Sequence, residues 1–236
     1  MRLDKILANQ GFGSRKDVKK LIKKGKVQVD GKAIKDSSFH CEPKESEIVV
    51  NGQVLDYRDY VYIIMNKPKG VISATEDHVE TCVTDLLDEF YQPFSLFPVG
   101  RLDKDTVGLL LLTNDGELAH RLLSPQKHVE KTYEAHIDGY VTGADVDAFK
   151  QGVELDDGYV TKPAELIIAE AGDISYVRVV ITEGKFHQIK RMFASRGHKV
   201  VELERVQMGS LVLDEELARG EYRELTEQEL SLLQAH

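Results

Sequence analysis

Residues 100–116 read Gly-Arg-Leu-Asp-Lys-Asp-Thr-Val-Gly-Leu-Leu-Leu-Leu-Thr-Asn-Asp-Gly. The leucine run makes Gly108 to Thr113 an apolar strand, and Asp103 and Asp105 stand immediately before it. From residue types alone, this acidic pair fits a surface loop, a metal-binding pair or a nucleophile with a neighbour. Working outward, further strands are predicted at Val61 to Met65, Thr132 to Ile137 and Tyr176 to Thr182, and helices near 117–123, 144–151 and 186–196. The first of these strands runs into a turn, Asn66-Lys67-Pro68-Lys69-Gly70. Thr226 and Glu229 form a capping box for a C-terminal helix carrying Leu230 and Leu233. Strands and helices alternate irregularly, which favours an α+β fold over a wound parallel sheet.

The N-terminal part has a different character. Leu3, Ile6 and Leu7 sit at helical spacing before the break Gly11-Phe12-Gly13. Ser14 can cap a second helix whose apolar stripe is Val18, Leu21 and Ile22 and which Gly25 ends. Asp30-Gly31 and Asn51-Gly52 are two-residue hairpin turns between short strands. Residues 1–36 hold 11 Lys or Arg against 4 Asp, a balance of +7; with a whole-chain charge of -9, the other 200 residues carry -16. A basic module therefore precedes an acidic body, with the polar break LDYRDY (55–60) between them. Arg15, Lys16, Lys19, Lys20, Lys23, Lys24 and Lys26 crowd one helix and its exit, where like charges repel unless an anion offsets them. That pattern fits a phosphate-binding face and also a plain solvated one.

The 42% apolar content suffices for ordinary cores, and no stretch approaches the roughly 20 apolar residues that cross a bilayer. The first ten residues lack a signal-peptide core, so a cytoplasmic location is expected. Cys41 and Cys82 show no CxxC spacing, and the eight histidines show no HxxxH or HExxH pattern. Neither a metal site nor a disulfide framework is expected.

The run RLDKILANQGFGSRKDVKKLIKKGKVQVDGKAI resembles the S4 RNA-binding module, a small helix-and-strand unit that grips structured RNA. The resemblance implies RNA contacts from Arg2, Arg15, Lys16, Lys19, Lys20, Lys23, Lys24 and Lys26. The stretch 100–116 is similar to the active-site motif GRLDxxTxGLLLLT of the pseudouridine synthases of the ribosomal small-subunit class. Asn66-Lys67-Pro68-Lys69-Gly70, Lys131-Thr132-Tyr133 and the segment from Glu183 to Phe193 match further family motifs in the same order. This implies an S4 domain over residues 1–58 and, over 59–236, a catalytic domain with a mixed, largely antiparallel sheet flanked by helices. Asp103 is then the nucleophile. Tyr133 stacks on a flipped-out uracil, and Lys190 pairs with Asp103 from a position where the wider superfamily usually has arginine. Arg101, Lys67, Lys131, His187 and Arg191 are implied as substrate-binding residues.

The implied reaction is isomerisation of a uridine in 16S ribosomal RNA, at uridine 516, without a cofactor. The expected partner is 16S RNA, free or within a pre-30S particle, and the expected state is a monomer. Two competitors share the RNA partner: an S4-containing assembly factor that clamps RNA without modifying it, and the same chemistry on 23S RNA. Asp103 to Val107 also fits the DxDx[TV] loop of aspartyl-phosphate phosphatases. Their loop follows an unbroken buried strand, however, whereas Phe97 to Arg101 is interrupted by Pro98 and Gly100.

Overall fold

Ser14 and Asp17 begin the second helix as a reciprocal cap, with Ser14 Oγ accepting from Asp17 N at 3.2 Å and Asp17 Oδ2 accepting from Ser14 N at 3.1 Å. This helix, α2 (Arg15–Lys23), and α1 (Leu3–Asn9) lie beside a small antiparallel sheet of β1 (Val27–Val29), β2 (Lys32–Ala33), β3 (Ile48–Val50) and β4 (Gln53–Val54), ordered β2-β1-β3-β4. Both expected hairpin turns form. Asp30 and Gly31 have φ of 49° and 80°, and Asn51 and Gly52 have 51° and 82°, the left-handed pairs such turns require. Leu3, Ile6, Leu7, Val18, Ile22 and the strand valines make one core. The basic side chains of α2 stay exposed on the other face.

The computed structural model describes residues 1–236, which divide into two compact units, Met1–Val61 with Leu87–Leu96 and Tyr62–Leu86 with Phe97–His236. Two features of this division are invisible in the sequence. The polar break at 55–60 is held by the first unit, where Leu55 and Tyr57 pack on its core and Gln10 bonds Arg58 through both amide groups, at 2.8 and 3.0 Å. The segment 87–96, far along the chain, also groups with the first unit: a Cβ on Gly11 would lie 2.8 Å from the Phe90 ring.

The second unit is built on one large sheet. Its strands are β5 (Tyr62–Lys67), β6 (Phe97–Pro98), β7 (Val107–Thr113), β8 (Lys131–Asp138), β9 (Glu165–Glu170), β10 (Ile174–Ile181), β11 (Lys199–Met208), β12 (Leu211–Val212) and β13 (Tyr222–Glu224). The order is β13-β5-β7-β11-β8-β10-β9, with β6 beside β7 and β12 beside β11. All pairs are antiparallel except β7 with β11. The fold is thus as expected, a small helix-and-strand module followed by a larger unit with a mixed, largely antiparallel sheet. Helices α3 (Gly116–Leu123), α4 (Gly143–Gln151), α5 (Gln188–Ser195) and α6 (Glu227–Gln234) accompany it, the last opened by the expected Thr226–Glu229 box. None of the helices is long and apolar enough to cross a membrane.

Every residue of β7 is buried, which explains its uniform leucine run. The close pairing of β7 with β11 depends on Gly108. At φ 103° a Cβ there would sit 2.2 Å from the Arg205 carbonyl oxygen, so only glycine lets the strands approach.

Candidate active site

The loop between β6 and β7 carries Asp103, and its backbone is fixed from two sides. Ser73 Oγ donates to Leu102 O at 2.9 Å and accepts from Leu102 N at 3.0 Å. Lys67, at the end of β5, is fully buried, and its ammonium donates to the carbonyls of Asp103 (3.0 Å), Lys104 (3.3 Å), Thr106 (2.8 Å) and Pro68 (3.1 Å). Burial pushes the Lys67 pKa down to about 8, against the pull of Asp105 and Asp103. Lys67, expected among the substrate-binding residues, thus turns its ammonium into the protein and onto backbone carbonyls. It clamps the loop.

The Asp103 carboxylate, about 30% exposed, stands clear of this clamp and meets α5. Lys190 Nζ lies 3.1 Å from Asp103 Oδ2 and 2.6 Å from Asp105 Oδ1, and His187 Nε2 lies 3.3 Å from Asp103 Oδ1. Burial lowers the Lys190 pKa, but the bonds to Asp105 and Asp103 outweigh it and leave it raised. The hydrogen bond from Lys190 lowers that of Asp105. His187 has a left-handed φ of 48°, so the helix begins one residue after it and its ring turns back to Asp103.

Tyr133 on β8 is buried to 8% exposure. With Arg101, Asp103, His187, Lys190 and the apolar Leu203, it lines a cleft of about 80 Å³. Carboxylate, aromatic ring and cations thus converge on a small hollow with partly apolar walls, the arrangement of a site for a planar polar ring beside a nucleophile. Lys131 lines the adjoining hollow rather than this one. Arg191 is also not brought to the cleft, because its guanidinium pairs with Asp156 and Asp157 at 2.6 and 2.9 Å. The basic residues of the first module are exposed, with Arg2 paired to Asp4 at 2.9 Å.

Three residues have places in the structure that the sequence does not assign them. Asp105, read with Asp103 only as an acidic pair, shares the Lys190 ammonium with it. Phe186 is 75% exposed and stacks on His187 with ring centroids 3.8 Å apart, an aromatic face presented to solvent beside the cleft. Its place between Lys185 and His187 is the available signal, since an aromatic among cations suits base stacking. Arg205 lies inside the domain on β11, a strand whose charged residues mask it.

Residues 61–195 match the RNA pseudouridylate synthase family and residues 1–46 match the S4 domain. The chain is 53% identical to an uncharacterized RNA pseudouridine synthase of Bacillus subtilis, over 99% of this chain and 98% of that one. It is 40% identical to ribosomal small subunit pseudouridine synthase A of Escherichia coli, over 98% and 99% of the two chains. A crystal structure of a pseudouridylate synthase superposes with a TM-score of 0.69 at 37% identity, covering 99% of both chains. A carboxylate held against a lysine in a cleft walled by a tyrosine, on a fold shared end to end with such enzymes, leads to one conclusion: this chain belongs to the RNA pseudouridine synthase family and carries its S4 domain.

Proposed function

We propose that the protein converts one uridine of 16S ribosomal RNA, uridine 516, to pseudouridine with Asp103 as nucleophile. The observation that carries the assignment is the placing of Asp103: its backbone is immobilised by Lys67 and Ser73, while its carboxylate projects into the cleft against Lys190. A nucleophile so held spends little entropy in reaching its target. The choice of 16S RNA rests on the small-subunit relative, which aligns over nearly its whole length.

In the reaction the C1'–N1 bond of uridine breaks and a C1'–C5 bond forms; C5 loses a proton and N1 gains one. Asp103 attacks the nucleoside, at the base or at C1', so that one difficult exchange becomes two steps through a covalent intermediate. Lys190, with Nζ 3.1 Å from Asp103 Oδ2, pairs with the carboxylate and holds it in place before attack. Tyr133, in the wall of the cleft, is assigned to stack on the flipped uracil and is the candidate base for the C5 proton. Stacking of this kind contributes about 1–3 kcal/mol, which offsets much of the few kcal/mol spent on extracting the base. The basic face of α2 holds the surrounding RNA through its phosphates.

The test is carbodiimide-labelled primer extension across 16S and 23S RNA from cells lacking the protein, after adding back purified wild type or Asp103→Asn. A single new stop at uridine 516 with wild type alone is expected. A stop in 23S RNA would move the target, a stop with Asp103→Asn would remove the nucleophile, and no stop at all would leave an RNA-binding protein without this chemistry.

A further inference from the structure

Beside the cleft lies a second, larger hollow of about 390 Å³, which shares Arg101, Tyr133, Gly184 and Lys185 with it. Its wall adds two buried cations, Lys131 and Arg205, at 9% and 2% exposure. Arg205 spends Nε on the carbonyl of Leu109 at 2.9 Å, while its Nη2 is buried without any partner. Lys131 has one long bond, 3.4 Å to the carbonyl of Val129. Neither cation is in an ion pair with a carboxylate, and burial, aided by the charge of Arg205, holds the Lys131 pKa below its ordinary value. The only acid in the wall, Glu183, commits Oε2 to the amide of Lys162 at 3.0 Å. Four cations against one carboxylate leave the hollow at +3.

Two buried cations without a counter-ion are expensive to maintain. A neutral uracil would not offset that cost, whereas a phosphodiester would supply both the charge and the acceptor that Nη2 lacks. The two hollows share a wall, and a nucleotide whose base enters the cleft carries phosphates on the 5' and 3' oxygens of the same ribose. We propose that this hollow is a binding site for one backbone phosphate flanking the target uridine, gripped by Lys131 and Arg205. Lys131 is then a positioning residue: it seats the ribose so that the nucleoside meets Asp103. The inference rests on the uridine occupying the cleft.

The test uses a target stem-loop RNA in which the linkage on the 5' or the 3' side of the uridine is replaced singly by an uncharged methylphosphonate. Affinity and kcat/KM are measured for wild type, Lys131→Gln and Lys131→Arg. Wild type should lose about 10- to 100-fold at one of the two linkages, the worth of one hydrogen-bonded charge contact. Lys131→Gln should show a similar loss on unmodified RNA and little further loss with the neutral linkage, and Lys131→Arg should restore the penalty. An equal penalty in wild type and Lys131→Gln would overturn the assignment. So would the absence of a penalty at either linkage in wild type, a result that stands even if Lys131→Gln fails to fold. If wild type binds the RNA with the expected phosphate dependence but converts no uridine, the proposed function fails and the phosphate site survives.

Discussion

Replacing Lys67 with methionine separates a loop clamp from an RNA ligand. The ammonium serves four carbonyls, of which Asp103 O and Lys104 O also accept from Thr106 N and Gly70 N. In Lys67→Met these two keep a donor, while Pro68 O and Thr106 O lose the lysine. At about 1–3 kcal/mol for each buried group left short, the loss is about 2–6 kcal/mol. Relief from burying a charge returns part of this, so a net destabilisation of about 1–3 kcal/mol is expected by urea denaturation. Catalysis should suffer more. The loop held by Lys67 carries Asp103, the proposed nucleophile, and a displacement of about 1 Å costs on the order of 100-fold in rate. Single-turnover conversion of target RNA should therefore fall about 100-fold while RNA affinity stays within about twofold. The opposite split, weakened binding with an unchanged rate at saturation, would refute the clamp and return Lys67 to the substrate.

The same lysine carries a pH signature. Its folded pKa of about 8 lies below the usual 10.5, so between these values the unfolded chain holds more protons and the group adds stability as pH rises, by roughly 3 kcal/mol in all. Wild type should gain on Lys67→Met between pH 7.5 and about 10 in denaturant titrations; a constant difference would place the titration elsewhere. Lys190→Met should cost about 100-fold or more in single-turnover rate and Lys190→Arg far less, since charge is the primary requirement at Asp103; equal losses would make geometry the requirement. Gly108→Ala places a Cβ against the Arg205 carbonyl and should destabilise by about 3–5 kcal/mol, read as a large drop in Tm; a near-native Tm would show that β7 and β11 can part. Neutralising Lys19, Lys20, Lys23 and Lys24 together should flatten the salt dependence of RNA binding by about 0.7–0.9 log units for each phosphate no longer neutralised; an unchanged slope would take α2 out of the binding surface.

The sequence reveals those elements whose local chemistry agrees with their final surroundings. The leucine run of β7, the two Asx-Gly hairpins and the Ser14 and Thr226 caps form where the pattern predicts, because each is specified by neighbours in the chain. Strand β11 is illegible for the opposite reason. Its residues Glu202-Leu203-Glu204-Arg205 look like solvent-facing helix or loop, and only pairing with β7 and β8 makes them the middle of a sheet. Within the site, motif resemblance locates Asp103, Tyr133, His187 and Lys190, which do converge on one cleft. It does not reveal that Lys67 turns inward, that Arg191 is claimed by Asp156 and Asp157, or that Asp105 shares Lys190. Such allegiances are set by side-chain reach across residues far apart in sequence.

The sharing of Lys190 has a consequence for the course of the reaction. In the proposed reaction Asp103 forms a covalent bond and its negative charge disappears, so a lysine paired with it alone would be stranded in a half-buried site. Asp105, 2.6 Å away on the other side, keeps that cation balanced throughout. It acts as electrostatic ballast: the lysine need not move, reprotonate or find a new partner as the nucleophile is consumed and regenerated. An arginine could steady itself by gripping with two nitrogens, whereas a lysine with one needs a second acid to stay in place. With lysine at 190, Asp105 is therefore part of the same functional choice, and a chain that kept the lysine but lost Asp105 would leave Asp103 with an unsteady companion.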